Sequence, residues 1–349
     1  MTTSLPEDQR LVNLSSKAYE HPADRAATAA LATVPGLDMV VRKLIEFGYE
    51  RAYRQEFLSA SVKLGEHQLP EVWADWNAVV ARLDLPERYD LYLTQFPIAN
   101  AAAIGAQKPM VVVNSRAVTL LDELELRTVL GHEAGHILSD HVLYITALRI
   151  IVALSQGMRL PFVAALPLRA VALILFEWYR AAELSADRAA TLVNRDPLVT
   201  CRTLMALAGG VGTDRLNLDA FIGQATEYEE WSSGWDKLNR MRSDLFLTHS
   251  RPVRRVKEVM AWVQSGAYDR IVAGEYPTRD QQADARKEAG DAFEHYKARF
   301  RAIAADFAGD NMGERVADAQ EKVSGAQEKV AGAAERLADW LKPKRDEES

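Results

Sequence analysis

The spacing of apolar residues divides most of this chain into helices with a few short strands. Residues 37–57 place Val40, Val41, Leu44, Ile45 and Phe47 on one helical face. Residues 71–83, carrying Trp73 and Trp76, read as a second helix. Period-two alternation marks strands at 89–93 and 110–114, and residues 59–64 read as a short strand. Asp122 and Glu125 form an N-terminal capping pair that opens the next helix. Residues 177–192 are rich in helix formers and free of Gly and Pro. A helix over 199–207 ends at Gly209-Gly210, and one over 251–265 starts at Pro252 and stops at Gly266. The pattern predicts a mainly α fold with a small β-sheet, an α+β domain.

The two ends read differently from the middle. Residues 1–20 look like a loose leader, and His21-Pro22 opens the first helical stretch, which Pro35-Gly36 punctuates. The folded domain is expected over 21–275, followed by a charged helical tail over 276–349. In that tail Val316, Val323, Val330 and Leu337 recur every seven residues, as do Ala319, Ala326, Ala333 and Trp340. This is an amphipathic heptad seam over 314–341, narrow because one line is mostly alanine and weakened by Gly325 and Gly332. It offers either a partly formed solvated helix or a surface for self-association.

Composition narrows the class. The chain has 349 residues, 48% hydrophobic and 26% charged, enough to bury a core. A net charge of −7 argues against a nucleic-acid partner, which needs a basic stripe. The single cysteine, Cys201, cannot form an internal disulfide and is expected as a small buried residue, which points to a reducing, cytoplasmic setting. The opening residues lack the apolar stretch of a signal peptide. Residues 142–176 are strongly apolar, but Arg149, Arg159 and Arg169 interrupt them and Pro161 and Pro167 break them. Each arginine opposes insertion by about 2.5–3.5 kcal/mol. The segment therefore reads as a packed helical pair, soluble or peripheral to a membrane, with membrane spans as the alternative.

The chemistry concentrates at His132-Glu133-Ala134-Gly135-His136, an H-E-x-x-H pattern. On a helix, residues four apart lie about 40° apart around the axis, so both imidazoles can grip one ion. Glu133 lies about 100° round from His132, placed to reach a water without ligating. A hydrolytic zinc site needs a third protein ligand. Glu183 and Asp187 share one face of a separate helix and could supply that ligand and a hydrogen-bonding support, or could be ordinary solvated carboxylates. His141 sits about 140° round from His136, a poor ligand position, and is expected to pack near the site entrance. His21, His67 and His295 have no neighbours at ligand spacing. Trp231 and Trp235 flank a Ser-Ser-Gly and either rim a groove or pack.

The segments HEAGHILSDH and AAELSADRAA, with Asn100-Ala101 and Gly105 ahead of a short apolar strand, resemble the HtpX-like and CAAX prenyl protease-type zinc metallopeptidases. These form the forty-eighth metallopeptidase family, among the gluzincins. The resemblance spans roughly residues 20–275. It implies a zincin-like domain in which His132, His136 and Glu183 bind one Zn2+, Glu133 is the catalytic base and Asp187 supports a ligand histidine. It also implies that residues 100–114 line the cleft and pair with extended substrate, which makes Asn100, Ala101, Val112 and Asn114 substrate-binding candidates. Family members carry a further histidine, usually followed directly by proline, that stabilises the oxyanion. Here His249 is separated from Pro252 by two residues, a departure from that pattern. The expected activity is hydrolysis of peptide bonds in polypeptides by a zinc-dependent endopeptidase, with Glu133 as base. The alternative is a catalytically silent scaffold of the same fold, acting through its C-terminal helix.

Overall fold

A computed structural model describes residues 10–34, 37, 41, 50–105, 108–157, 162–230, 251–281, 296–298, 300 and 301. His21 caps the first helix, α1 (Pro22–Leu31), its ring nitrogen accepting from the Ala23 amide. Helices α2 (Glu50–Ala60) and α3 (Pro70–Arg82) flank strand β1 (Val62–Lys63). Strands β2 (Asp90–Thr94), β3 (Ala101–Ile104) and β4 (Met110–Asn114) complete a sheet of order β1-β2-β4-β3. Strand β2 runs parallel to β4, and β1 and β3 run antiparallel to their neighbours. The predicted strand at 59–64 is thus reduced to two residues, because α2 continues to Ala60. Of the predicted helix at 37–57, Leu37 and Val41 are buried and the described end belongs to α2, while Val40, Leu44, Ile45 and Phe47 lie outside the described residues.

The short helix α4 (Ser115–Leu120) leads into α5 (Glu123–Leu138). The expected capping pair starts α5: Asp122 accepts from the Glu125 amide at 2.8 Å, and Glu125 accepts from the Asp122 amide at 3.1 Å. Next come α6 (Val142–Gly157), α7 (Phe162–Asn194), α8 (Pro197–Gly209), α9 (Leu218–Glu230), α10 (Pro252–Gln264) and α11 (Ala267–Val272). Gly210 ends α8 in the left-handed region, at φ 66°. Helix α7 runs through Pro167, which sequence pattern takes as a break. The proline sits in the second turn and forfeits a single ladder bond there.

Helix α5 is buried along its whole second half, from Thr128 to Ile137, between the edge strand β3 on one side and α7 on the other. Two glycines make this possible. A Cβ at Gly131 would lie 2.8 Å from Val193 Cγ2, and one at Gly135 would lie 2.6 Å from the Ala189 Cβ. The close approach brings α7 side chains within reach of the α5 histidines.

Two apolar clusters hold the molecule. One joins the helix-facing side of the sheet (Ala103, Val111, Val113) to Leu130 and Ala134 of α5 and to Ala189 of α7. The other joins Leu31 of α1, Ile145 and Leu148 of α6, Leu175 and Trp178 of α7, and Phe300. The described apolar face of α6 is thus covered by protein. Among the described residues no single helix is long and apolar enough to cross a membrane; the bent pair Glu123–Leu138 and Val142–Val152, meeting at 101°, passes by length and composition only.

Of the residues expected to form a leader, only 10–20 are described, and several of them are packed. Leu11, Leu14 and Tyr19 are fully buried, and the Tyr19 hydroxyl lies 3.0 Å from Ser139 Oγ at the end of α5. Leu14 pairs with Thr278 in an antiparallel bridge. Arg279 donates to the Asp84 carbonyl at 2.7 Å, to Asp84 Oδ2 at 2.9 Å and to Asn13 Oδ1 at 3.1 Å. The packed chain therefore reaches beyond residue 275 at one end and begins before residue 21 at the other. The heptad seam at 314–341 and Trp231 and Trp235 lie outside the described residues.

Candidate metal centre

Helices α5 and α7 deliver His132, His136 and Glu183 to one point. The His132 and His136 Nε2 atoms are 3.1 Å apart, and Glu183 Oε1 lies 3.4 Å from the first and 3.2 Å from the second. Ligands about 2.0–2.1 Å from a tetrahedral ion stand roughly 3.3 Å apart. The three atoms therefore already form one face of such a tetrahedron. Two imidazole nitrogens and one carboxylate oxygen, all on buried side chains, make up the donor set of a hydrolytic zinc site with a fourth position open. The residues present fit the ion.

Each donor is held from behind. His132 Nδ1 lies 3.1 Å from Asp187 Oδ1. Arg255, from α10, grips Asp187 with two bonds of 2.7 and 2.5 Å, and its Nη1 lies 3.1 Å from Glu183 Oε2. Glu183 Oε1 faces the two imidazoles. His136 Nδ1 lies 3.0 Å from His141 Nδ1, and His141 Nε2 lies 3.0 Å from Asp24 Oδ2 on α1. Tyr179 stacks on the His136 ring at 5.9 Å between centroids.

The electrostatics suit a cation. Burial works against a charge on His132, but the Glu183 and Asp187 carboxylates outweigh it and lift its pKa to about 10. Burial pushes His136 down to about 4, with His132 acting in the same direction, so its lone pair is available at neutral pH. Burial would raise Asp187, yet the Arg255 charge and hydrogen bonds, with that of His132, hold it below the usual carboxylate range.

Glu133 faces the sheet edge. Its Oε2 accepts from the Ala103 amide of β3 at 2.6 Å, and Oε1 takes no part in that bond. A cavity of about 560 Å³ opens beside His132 and Glu133. It is lined by Phe96, Ile98 and Asn100 on the approach to β3, by Leu204 and Leu207 of α8, and by Arg251 and Pro252 at the start of α10.

The other expected substrate residues divide. Asn100 lines the cavity, and its Oδ1 accepts from the Ala101 amide. Ala101 begins the edge strand. Val112 does not face the cleft: it sits on the central strand β4, paired on both sides, and packs with Tyr92, Ala102 and Ile104 on the sheet face away from α5. Strands turn alternate side chains to opposite faces, and Val111 and Val113 take the helix side. Asn114 accepts from Thr94 Oγ1 at 2.7 Å and donates to the Ile98 carbonyl at 3.1 Å, bracing the strand ends. Within the expected stretch 100–114, the part that borders the cavity is therefore β3 with Asn100, while β4 lies inside the sheet. His249 lies outside the described residues, as does His295. His67 is exposed and His21 pairs with Glu258 at 3.3 Å. Cys201 is buried, and burial pushes its thiol up to about 12.

Two residues at the site, Arg255 and Asp24, escape a reading of the sequence, and a third, His141, is placed differently. Arg255 left one signal: it lies on the stripe of Val259 and Trp262, the buried face of α10, where a lone arginine is out of place. His141 is not at an entrance; it is buried behind His136. Asp24 left no local signal beyond its position in the first turn of α1.

A family model described as Peptidase family M48 matches residues 66–263. The chain is also similar to a plastoglobule-localized, chloroplastic metallopeptidase 48 of Arabidopsis thaliana, 34% identical over 267 residues, 74% of this chain and 76% of that protein. No solved structure matches.

Proposed function

This chain belongs to peptidase family M48, and from that premise we propose that it is a zinc-dependent endopeptidase that cleaves extended polypeptide. The observation that carries the proposal is the convergence of His132 Nε2, His136 Nε2 and Glu183 Oε1 within 3.1–3.4 Å of one another. These three atoms would hold the ion. When bound, zinc supplies Lewis acidity, polarising a carbonyl and acidifying water.

The remaining work falls to side chains and backbone of this chain. The Ala103 amide fixes Glu133 through Oε2. Glu133 Oε1 takes the proton of the attacking water and later passes it to the leaving amine. The register of β3 turns the Ala101 and Ala103 carbonyls away from β4, so an extended substrate strand can add along that edge, with Asn100 and Ala101 beside it. The cavity beside Glu133, walled largely by apolar side chains, takes a substrate side chain. His249, or another nearby donor, serves the developing oxyanion, where one donor is worth about 3 kcal/mol. We place the protein in the cytoplasm, in keeping with its single buried cysteine, with membrane association as the alternative.

The test joins metal analysis to digestion of an unfolded protein such as casein, with and without chelator. One zinc per chain and chelator-sensitive cleavage are expected. Metal-free protein that cleaves nothing would favour the scaffold alternative.

A further inference from the structure

We propose that Asp24 and His141 are positioning residues for the metal ligand His136, so that helix α1 forms part of the metal centre. The inference rests on the reading of His132, His136 and Glu183 as metal ligands and adds a support that begins outside the matched stretch 66–263.

The geometry is a line of hydrogen bonds with one consistent direction. His136 turns Nε2 toward Glu183 and His132, so its proton belongs on Nδ1. That Nδ1 lies 3.0 Å from His141 Nδ1, which must then accept. His141 in turn carries its proton on Nε2, which lies 3.0 Å from Asp24 Oδ2. Asp24 is an acceptor held by two further donors: Ser185 Oγ at 2.5 Å on Oδ2 and Thr28 Oγ1 at 3.2 Å on Oδ1. Ser185 Oγ accepts from the His21 amide at 2.9 Å, which ties the start of α1 to α7.

All three acid-base side chains in this line are at least nine-tenths buried: His136 is 1% exposed, His141 3% and Asp24 1%. The surroundings are otherwise apolar, with the Trp178 ring edge-on to His141 at 5.5 Å. A carboxylate and an imidazole placed there carry a desolvation penalty that an apolar pair would avoid. What the polar pair supplies is a fixed tautomer and ring direction for His136. The arrangement mirrors the other ligand, where Asp187 stands behind His132. Ser185 lies two residues after Glu183, so α7 presents a ligand on one side and the anchor of Asp24 on another.

The test uses the full-length protein, with zinc affinity measured by chelator competition, the visible spectrum of the cobalt-substituted form, and melting of the metal-free form. His141→Phe keeps a planar aromatic ring, somewhat larger than imidazole, and removes both bonds. Its zinc affinity should fall about 10- to 100-fold, with altered cobalt bands. Asp24→Asn keeps the shape, and should weaken zinc at least about fivefold by the same mechanism while the metal-free form melts near the parent value. If His141→Phe does not fold, Asp24→Asn decides. Zinc affinity within twofold of the parent and an unchanged cobalt spectrum would overturn the proposal, because a purely structural pair would leave both alone. A parent protein that binds no zinc would instead sink the metal-site reading itself.

Discussion

Replacing Glu133 by glutamine keeps the shape of the side chain and an oxygen for the Ala103 amide, but removes the basic oxygen. Peptide hydrolysis should fall by about 10²- to 10⁴-fold, the usual worth of a general base. Zinc content by metal analysis should stay at the parent level, since Glu133 is not among the three converging donors. Loss of metal from this variant would reassign Glu133 to the ligand set. Asp187 yields an acid-range expectation. Its folded-state pKa is depressed, chiefly by Arg255 working against burial. Its stabilising contribution is therefore complete above the unfolded value, about pH 4, and is lost as pH falls through the lower folded value. With metal chelated throughout, the parent should lose more stability below about pH 4 than Asp187→Asn does. Denaturant midpoints at a series of pH values check this; parallel curves for the two proteins would refute it.

The contact between α5 and α7 decides whether the ligands meet. Gly135 sits between the two candidate histidine ligands in sequence, and a Cβ there would lie 2.6 Å from Ala189 Cβ and 3.2 Å from the Ala186 backbone. Alanine would gain about 1 kcal/mol of helix propensity over glycine. Overpacking against another helix's backbone costs about 1–3 kcal/mol, and neither Ala189 nor Ala186 offers a flexible side chain that could move aside. The clash should win. Gly135→Ala is expected to lower the unfolding midpoint and, by parting the helices, to weaken zinc retention during dialysis. A variant that is more stable and retains zinc normally would show that the helices can give at that point. Elements also explain what could be read in advance. The capping pair, the helical stretch from Glu123 and the strands at 90–94 and 110–114 rest on local pattern, and local pattern is visible in a single chain. Strand β3 is Ala-Ala-Ala-Ile, a composition that favours helix over strand. It is a strand because β4 pairs with it, and that pairing is not local.

For the whole molecule, the ends of the folded unit matter most. A chain truncated after Gly274 would lose Thr278, Arg279 and Phe300 together. Phe300 is 2% exposed among Leu31, Leu175 and Trp178, and emptying such a site costs about 3–5 kcal/mol. Arg279 also links the segment around Asn13 to Asp84. The truncated chain is therefore expected to unfold at a clearly lower denaturant concentration and to lose hydrolysis with its fold. Native-like unfolding of that chain would return the boundary to residue 275.

The amino-acid sequence by itself determined that two histidines and a glutamate share one helix, because a four-residue spacing becomes a common face through nothing more than helical geometry. It also determined the class of fold, since apolar periodicity reports which faces must be buried. Tertiary structure alone decided which distant groups stand behind the candidate donors, Arg255 behind Asp187 and Asp24 behind His141, and it brought Glu183, a candidate in the sequence, beside the two histidines. Those contacts join residues on separate elements, and their register depends on how closely α5 and α7 pack. That distance follows from glycines and alanines meeting in three dimensions, not from any spacing along the chain.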